Sequence, residues 1–119
     1  VKLDDFDLPV DYTEHFPGPN FGTEGSKRLA GVEPERPMIG TIVKPSVGLA
    51  PEATAALVRE LAEAGIDFVK DDELMVATAN SPFETRVNHV MEVVREHADR
   101  TGRKITATTT SSPLAAPAP

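Results

Sequence analysis

The stretch Gly65-Ile66-Asp67-Phe68-Val69-Lys70-Asp71-Asp72-Glu73 decides how the surrounding chain is expected to fold. Its apolar half, residues 66–70, is short and β-prone, and it predicts a strand. A helix is predicted just before it, over residues 51–64, because apolar side chains recur there at helical spacing. Pro51 suits the first turn of that helix, and Gly65 suits its C-terminal stop. A helix that runs directly into a strand is typical of βα units.

The same alternation continues on both sides of this stretch. Residues 38–44 form a β-rich apolar run that ends at Pro45, which predicts a strand buried on both faces. Ser81-Pro82-Phe83-Glu84 predicts a helix start, with Ser as the N-cap, Pro at the first position and Glu completing a capping box. Residues 103–106 open a third β-prone run after Gly102. The buried face of the second helix is predicted to comprise Phe83, Val87, Val90, Met91, Val94 and Ala98.

The predicted order is therefore β-α-β-α-β, an α/β fold with parallel strands joined by right-handed crossovers. An open doubly wound sheet and a (β/α)8 TIM barrel both begin this way, and periodicity alone does not choose between them. A complete barrel typically needs about 250 residues, whereas this chain has 119.

Composition divides the chain into three parts. Residues 1–37 are rich in Pro, Gly and acidic side chains and lack a sustained period, so they are predicted to be a linker from an N-terminal domain. Residues 38–105 contain the predicted βα units. Residues 106–119 run from Thr and Ser into Ala and Pro, which predicts a disordered, low-complexity tail. A truncation, or a change of reading frame near Ile105, would account for such a tail.

The candidate site is the run Lys70, Asp71, Asp72 and Glu73, at the C-terminal end of the second predicted strand. Parallel α/β folds build active sites at this edge. Because side chains alternate along a strand, Lys70 and Asp72 are expected to point the same way and Asp71 elsewhere, with Glu73 in the turn beside them. Two converging carboxylates suit Mg²⁺. The lysine would join the ligands if its neutral amine took up CO₂ to form a carbamate. The alternative is an exposed charged turn.

Lys44 ends the first predicted strand and is the second candidate. If the two strands are neighbours, it lies about 5 Å from the Lys70 edge. A lysine there could act as a general acid or base beside a metal-bound enolate. The alternative is a lysine without a catalytic role, whose ammonium extends into solvent at the end of the strand. His15, His89 and His97 lack metal-type spacing and are predicted to be structural or solvent-facing.

The overall composition excludes several classes of function. The net charge is −7 and no block of Lys or Arg exists, so binding to nucleic acid or to an anionic membrane has little support. The lack of cysteine excludes disulfides, thiolate catalysis and cysteine-ligated zinc sites. No apolar run is long enough for a membrane span or a signal peptide, which predicts a cytoplasmic protein.

Three motifs together resemble the start of the RuBisCO large-chain barrel. They are Gly40-Thr41-Ile42-Val43-Lys44-Pro45-Ser46-Val47-Gly48-Leu49, then the stretch from Gly65 to Glu73, and then Ser81-Pro82-Phe83. The leader is also similar to the segment that joins the N-terminal domain of that family to its barrel; the residues concerned are Leu3, Pro9, Tyr12, Phe16-Pro17-Gly18-Pro19 and Gly22. The resemblance runs from about Lys2 to Ile105, which is most of this chain and only a fraction of a family member.

This resemblance implies a role for each candidate residue. Lys70 would be the carbamylated lysine, Asp72 and Glu73 the carboxylate ligands of Mg²⁺, and Lys44 the lysine that handles proton transfer at the substrate. The shared chemistry is abstraction of a proton next to a carbonyl, which gives an enediolate held on Mg²⁺. The resemblance also implies a phosphorylated small-molecule substrate and a homodimer, because the family's active site forms between two subunits.

Three departures favour the RuBisCO-like (form IV) branch of the family. Ser46 stands where the carboxylating enzymes have a second lysine, Ile42 replaces a threonine, and Leu74-Met75 replaces an asparagine-led loop. We therefore expect a lyase or isomerase that enolises, isomerises or decarboxylates a phosphorylated keto-sugar or sugar acid. The family's phosphate-binding loops come later in its barrel, so this chain alone is expected to be inactive. A fragment of a ribulose-bisphosphate carboxylase of carbon fixation, or a non-catalytic truncated chain, are the alternatives.

Overall fold

In the computed structural model, residues 2–72, 75 and 77–109 are described. They form four helices and three short strands. In chain order these are α1 (Val10–Thr13), α2 (Gly22–Ala30), β1 (Gly40–Ile42), α3 (Pro51–Glu63), β2 (Phe68–Lys70), α4 (Phe83–Thr101) and β3 (Thr106–Thr108). From β1 onward the order is the predicted β-α-β-α-β. No helix among the described residues is long and apolar enough to cross a membrane.

The three strands form one parallel sheet in the order β1-β2-β3. Thr41 of β1 pairs with Val69 of β2, and Val69 pairs with Ala107 of β3. Gly40 pairs with Phe68, and a Cβ added at Gly40 would lie 2.1 Å from the Phe68 ring. A side chain at this position would overlap the aromatic ring of Phe68 unless the ring moved. The predicted parallel α/β sheet is confirmed.

The core lies between the sheet and the pair of helices α3 and α4, which pack against each other. Strand and helix residues contribute to a single cluster, which comprises Val43, Ala55, Val58, Ala62, Val69, Met75, Val90, Val93, Val94 and Ile105. Burial of Val69 on this side means that its neighbours Phe68 and Lys70 project from the other face of the sheet, because side chains alternate along a strand.

Strand β1 differs from its prediction. It was expected to be buried on both faces, but Ile42 is 43% exposed and Ile39, just before the strand, is 59% exposed. The reason is that β1 is an edge strand among the described residues, and α3 and α4 cover only one face of the sheet.

Helix α3 ends as the sequence predicts. Gly65 has a φ of 90°, in the left-handed region that glycine tolerates without strain. Its N–H donates to the carbonyl of Ala62 at 3.0 Å, and the N–H of Ile66 donates to the carbonyl of Leu61 at 3.3 Å. These two bonds form a Schellman motif, which satisfies carbonyls at the helix end and turns the chain into β2.

The predicted start of the second long helix is wrong. Helix α4 begins at Phe83 with Pro82 as its N-cap, and no side chain caps it, so Ser81 and Glu84 form no capping box. Ser81 instead exchanges backbone hydrogen bonds with Thr78, and its carbonyl accepts a hydrogen bond from Arg86. The backbone of Ser81 therefore pairs with Thr78 within the loop before the helix and does not cap the helix.

The buried face of α4 is also rotated from the predicted one. Val90 and Val94 are buried as expected, whereas four of the predicted positions are only half-buried: Phe83, Val87, Met91 and Ala98. Arg86, Val93 and His97 take the remaining buried positions. Two of these three are polar, which is why apolar periodicity does not find them.

The leader contains more helix than its composition suggests. Residues 22–30 form α2, which ends at Gly31 with a φ of 70°, although no sustained period was recognised there. The short α1 lies earlier in the same segment. Most of the large apolar side chains of the leader are exposed; they are Leu3, Phe6, Leu8, Val10, Tyr12, Phe16, Phe21 and Leu29.

The third strand lies beyond the boundary placed at residue 105. Thr106–Thr108 pairs with β2, so the first residues of the predicted tail belong to the sheet. β-Branched threonines favour a strand, and this tendency outweighs the low complexity of the segment. The rest of the predicted tail, residues 110–119, lies outside the described residues.

Candidate metal centre

The site lies where β1 and β2 end side by side. Ile42 pairs with Lys70, and the N–H of Val43 donates to the carbonyl of Lys70 at 2.8 Å. On the other side, the N–H of Asp71 donates to the carbonyl of Thr108 at 3.0 Å. The backbone just after β2 is thus held between its two neighbours, and this fixes where the next side chains project.

Asp72 meets Lys44 at this edge. Its side chain is only 5% exposed, and its Oδ2 forms an ion pair with the Nζ of Lys44, which is 60% exposed. The Oγ of Ser46 donates to the same oxygen at 2.9 Å, and Lys44 Nζ lies 3.3 Å from Ser46 Oγ. Lys44, Ser46 and Asp72 therefore form a closed triangle of polar contacts between the ends of two adjacent strands.

Lys70 is half-buried, and its Nζ donates to the carbonyl of Asp71 at 2.9 Å. Glu73, the third predicted metal ligand, lies outside the described residues, as do Leu74 and Val76. Within the described ranges no group of three or more His, Cys, Asp or Glu side chains could hold a metal ion. The four predicted site residues are Lys44, Lys70, Asp72 and Glu73. The structure brings Lys44 and Asp72 into contact, whereas the ammonium of Lys70 bonds the backbone of Asp71.

Asp71 turns to the other side of the sheet. It is 5% exposed, and its Oδ2 lies 3.7 Å from an Nη atom of Arg86, which is only 1% exposed. Asp71 thus follows Val69 toward the helices, whereas Asp72 faces Lys44. Arg86 was missed by sequence reasoning, although it lies four residues before Val90, within the apolar stripe of the helix. A charged residue in such a stripe indicates a buried partner.

Asp67 forms a second polar centre at the beginning of β2. Its carboxylate accepts hydrogen bonds from two guanidinium nitrogens of Arg36 at 2.6 and 2.7 Å and from the N–H of Ile39 at 2.9 Å. The Arg36 hydrogen bonds are the main reason that the pKa of Asp67 falls to about 2, against the opposing effect of burial. The same pair raises the pKa of Arg36. This centre joins the leader to the sheet at the end opposite Lys44.

The three histidines lie away from the triangle. His89 and His97 are on α4, each with its Nδ1 3.9 Å from a glutamate of α3, Glu52 and Glu63 respectively. His97 is 6% exposed, and His15 is exposed in the leader. These positions agree with the structural or solvent-facing roles predicted for them.

The triangle of Lys44, Ser46 and Asp72 has the chemistry of a cation site with a nearby proton donor. Asp72 offers a buried carboxylate oxygen, the ligand type that hard divalent cations prefer. The ammonium of Lys44 already lies against that oxygen, which shows that the carboxylate faces a position suited to positive charge. Lys44 itself is an exposed amine that could carry a proton.

The family model of the ribulose bisphosphate carboxylase large chain, catalytic domain, matches residues 27–111. The chain belongs to this family. It is 54% identical over 105 residues to a 3-oxo-isoapionate-4-phosphate transcarboxylase/hydrolase from Xanthobacter autotrophicus. It is 49% identical over 105 residues to a 3-oxo-isoapionate-4-phosphate decarboxylase from Rhizobium rhizogenes. Each match covers 88% of this chain and 25% of the relative, so the chain spans about a quarter of the length of the curated relatives it matches.

Solved structures of the ribulose bisphosphate carboxylase family agree with the fold. A rubisco-like protein from Burkholderia fungorum superposes with a TM-score of 0.72 at 49% identity, over 84% of this chain and 24% of that chain. A dimeric archaeal Rubisco from Hyperthermus butylicus superposes with a TM-score of 0.73 at 35% identity, over 84% and 23%. The relatives of this chain are thus enzymes of the family, and they include RuBisCO-like proteins.

Proposed function

We propose that this chain supplies the metal-binding edge of a RuBisCO-like, magnesium-dependent enzyme that acts on a phosphorylated keto-sugar acid. The contact between Lys44 and Asp72 carries the proposal, because it joins an amine and a buried carboxylate from the ends of adjacent parallel strands. Active sites of parallel α/β folds lie at this edge. In the whole protein these strands would be the first three of a (β/α)8 barrel.

The residues present fit a magnesium site in the chemistry of their side chains. Asp72 and Glu73 would provide carboxylate oxygens, and Lys70 would provide a further oxygen as a carbamate formed with CO₂. Bound Mg²⁺ would stabilise the negative charge that develops on a substrate enolate. The buried position of Asp72 and its contact with the Lys44 ammonium support its role, since a buried carboxylate requires a cationic partner.

Lys44 is proposed as the general acid or base of this site. Its ammonium is mostly exposed and contacts both Asp72 and Ser46. A substrate bound at the strand ends would therefore lie close to this ammonium. From this position Lys44 would turn toward the substrate and exchange a proton with it. The hydroxyl of Ser46 would continue to orient Asp72.

The substrate class follows from the relatives whose names state one. Both curated relatives described above act on 3-oxo-isoapionate-4-phosphate. In a 3-oxo acid, loss of the carboxylate leaves electrons that are delocalised into the neighbouring ketone, and this gives an enolate. Stabilisation of an enolate is the task for which a cation and a nearby amine are suited. We therefore propose decarboxylation, or a related carboxyl transfer, of such a substrate.

A second candidate is the carboxylation of ribulose bisphosphate, and one observation favours it. The chain superposes on a dimeric archaeal Rubisco with a TM-score of 0.73. Against it, Ser46 occupies the position of the second lysine that the carboxylating enzymes are expected to have, and its hydroxyl is engaged with Asp72. A lysine there would bring a second ammonium to the carboxylate that already contacts Lys44.

The exposed apolar side chains of the leader support assembly into a homodimer. Between residues 2 and 21, seven large apolar side chains lie on the surface. This is more than is usual for a short segment of a monomeric protein. The dimeric archaeal Rubisco shows that the family includes proteins with this assembly. We propose that the leader packs against the remainder of the protein or its second subunit.

A chimaeric enzyme tests the proposed reaction. Residues 2–109 of this chain would replace the matching segment of the Xanthobacter relative, and both enzymes would be assayed with 3-oxo-isoapionate-4-phosphate and with ribulose bisphosphate. We expect the chimaera to keep activity on the first substrate and to lack carboxylation of the second. An Asp72→Asn chimaera should lose the activity, whereas Asp99→Asn, on the exposed face of α4, should keep it.

Either of two results would contradict the proposal. One is a folded chimaera that carboxylates ribulose bisphosphate, which would favour the second candidate. The other is an Asp72→Asn chimaera with undiminished activity, which would exclude this carboxylate as a metal ligand.

A further inference from the structure

Arg86 is a buried cation that the proposed chemistry does not use. Its side chain is 1% exposed, on the first turn of α4. One terminal nitrogen donates to the Ser81 carbonyl at 3.2 Å and lies 3.4 Å from the Ser81 hydroxyl. The other lies 3.7 Å from Asp71 Oδ2, and the Phe83 ring centroid is 5.7 Å from the guanidinium carbon. Burying such a charge is costly, so we expect its contacts with these partners to serve the structure or the function of the protein.

Arg86 lies among the ends of all three strands. A cavity of about 10 Å³ on one side of it is also lined by Val43, just after β1, and by Thr108 of β3. A second cavity of about 10 Å³ is lined by Arg86 together with Val47 and Gly48 from the loop after β1, and Thr78 from the loop after β2. The side chain of Arg86 thus lines cavities that are also bounded by the segments after β1 and β2 and by the end of β3.

The pairing of Arg86 with Asp71 has a consequence for the residues on either side. Val69 and Asp71 both lie on the helix side of the sheet, in the core and against Arg86 respectively. Because side chains alternate, Lys70 and Asp72 must then project from the other side, where Asp72 contacts Lys44. A slip of one residue would exchange these faces and would turn the proposed ligands into the core.

We propose that Arg86 is a positioning residue of the metal site. Its buried guanidinium attracts the carboxylate of Asp71 to the helix side, and this holds Lys70 and Asp72 toward Lys44. Arg86 acts on the site through Asp71, without contacting the metal or the substrate. The inference rests on the proposed function, since the effect on the metal requires that Lys70 and Asp72 are ligands.

Binding of Mn²⁺ to the 119-residue chain, followed by electron paramagnetic resonance in the presence of bicarbonate, tests this role. The variants are Arg86→Met, which removes the charge, and Arg86→Lys, which keeps it. Val93→Ala is the matched control, because Val93 is 3% exposed on the same helix and its truncation destabilises the core without touching Asp71. Thermal unfolding of each variant reports its loss of stability.

We expect Arg86→Met to weaken Mn²⁺ binding by at least tenfold, in the range seen when groups that orient metal ligands are removed. Arg86→Lys should restore at least part of this affinity, and Val93→Ala should change it by less than threefold. The inference is overturned if Arg86→Met binds within threefold of the unmodified chain, if Arg86→Lys is as weak as Arg86→Met, or if Val93→Ala weakens binding equally.

A second measurement separates this inference from the proposed function. If the unmodified chain binds no Mn²⁺, the proposed metal site is wrong, and the position of Asp72 is then read from the side-chain NMR signals of Lys44. Arg86→Met should shift these signals toward those of Asp72→Asn, in which the Lys44 contact is lost, and Val93→Ala should leave them in place. Unshifted Lys44 signals in Arg86→Met would overturn the positioning role by itself.

Discussion

The carboxylate of Asp72 receives both the ammonium of Lys44 and the hydroxyl of Ser46. A divalent cation that binds the same oxygen must compete with the ammonium, because two positive charges at this distance repel each other. The side chain of Lys44 is 60% exposed, whereas that of Asp72 is 5% exposed, so we expect the ammonium to be the group that gives way. Under the proposed function, Lys44 and a metal ion would therefore be alternative partners of this carboxylate.

Replacing Lys44 should consequently strengthen metal binding while it removes the proton carrier. For Lys44→Met we expect an increase in Mn²⁺ affinity of about fivefold, which corresponds to about 1 kcal/mol of charge repulsion in a well-solvated position. Electron paramagnetic resonance titration measures the affinity. Lys2→Met, which removes a lysine whose ion pair with Asp4 lies in the leader, is the control and should leave it unchanged. Weaker binding to Lys44→Met would show that the ammonium does not compete with the metal.

Much of the site is local in sequence, and that part could be predicted. Lys70, Asp71 and Asp72 are consecutive, so the alternation of a strand is enough to place Asp71 and Asp72 on opposite sides. The adjacency of Lys44 and Asp72 required only that two successive parallel strands pair. Arg86 could not be placed in this way, because no strand pairing connects its helix to Asp71 and the buried face of that helix differs from the one that its apolar pattern predicts.

At the scale of elements, the close approach of β1 and β2 depends on Gly40. Any side chain there would overlap the ring of Phe68, since its Cβ would lie 2.1 Å from a ring atom. The two strands could then keep their pairing only if the ring moved. The spacing that brings Lys44 to Asp72 thus depends on a glycine at the other end of the same strand.

Gly40→Ala is expected to lower the free energy of unfolding by about 1–3 kcal/mol, the usual cost of adding atoms to a filled space. Urea denaturation measures this loss. In the double variant Gly40→Ala, Phe68→Leu the smaller side chain should recover part of it, and Thr41→Ala, the next position of β1, serves as the control. A Gly40→Ala chain as stable as the unmodified one would show that the ring of Phe68 is free to move.

The elements differ in how far the sequence predicts them. Helix α3 is predicted correctly because its start at Pro51 and its stop at Gly65 are set by local backbone rules. The start of α4 is not, because Ser81 uses its backbone to bond Thr78, a contact that competes with the capping box. Helix α2 was missed because it contains two glycines and a single large apolar side chain, Leu29, which is exposed.

At the scale of the whole molecule, Asp67 connects parts of the chain that are far apart in sequence. Its side chain binds Arg36 of the leader and lies 3.6 Å from Arg103, and its backbone bonds Ile39 and Thr106. The leader, the first strand and the third strand therefore meet at one buried carboxylate. Because the pKa of Asp67 is lowered to about 2, folding favours its charged form.

The stability of the chain should therefore depend on pH through Asp67. The contribution of the carboxylate, about 1–2 kcal/mol, is complete above the ordinary aspartate pKa near 4 and is lost as the pH falls toward about 2. Asp67→Asn should remove this part of the dependence, as measured by urea denaturation between pH 2 and pH 6. Asp99→Asn, at an exposed position of α4, should not. Parallel pH profiles for Asp67→Asn and the unmodified chain would show that Asp67 does not cause this dependence.

Lys70 is proposed to form a carbamate that binds magnesium together with Asp72, and carbon-13 NMR can detect such a carbamate. The 119-residue chain would be placed in ¹³C-labelled bicarbonate with Mg²⁺, next to a Lys70→Arg variant and a Lys104→Arg control. We expect a slowly exchanging carbamate signal that is stabilised by Mg²⁺, is absent from Lys70→Arg and persists in Lys104→Arg. A signal that survives in Lys70→Arg, or no signal in the folded chain at saturating Mg²⁺ and bicarbonate, would contradict this proposal.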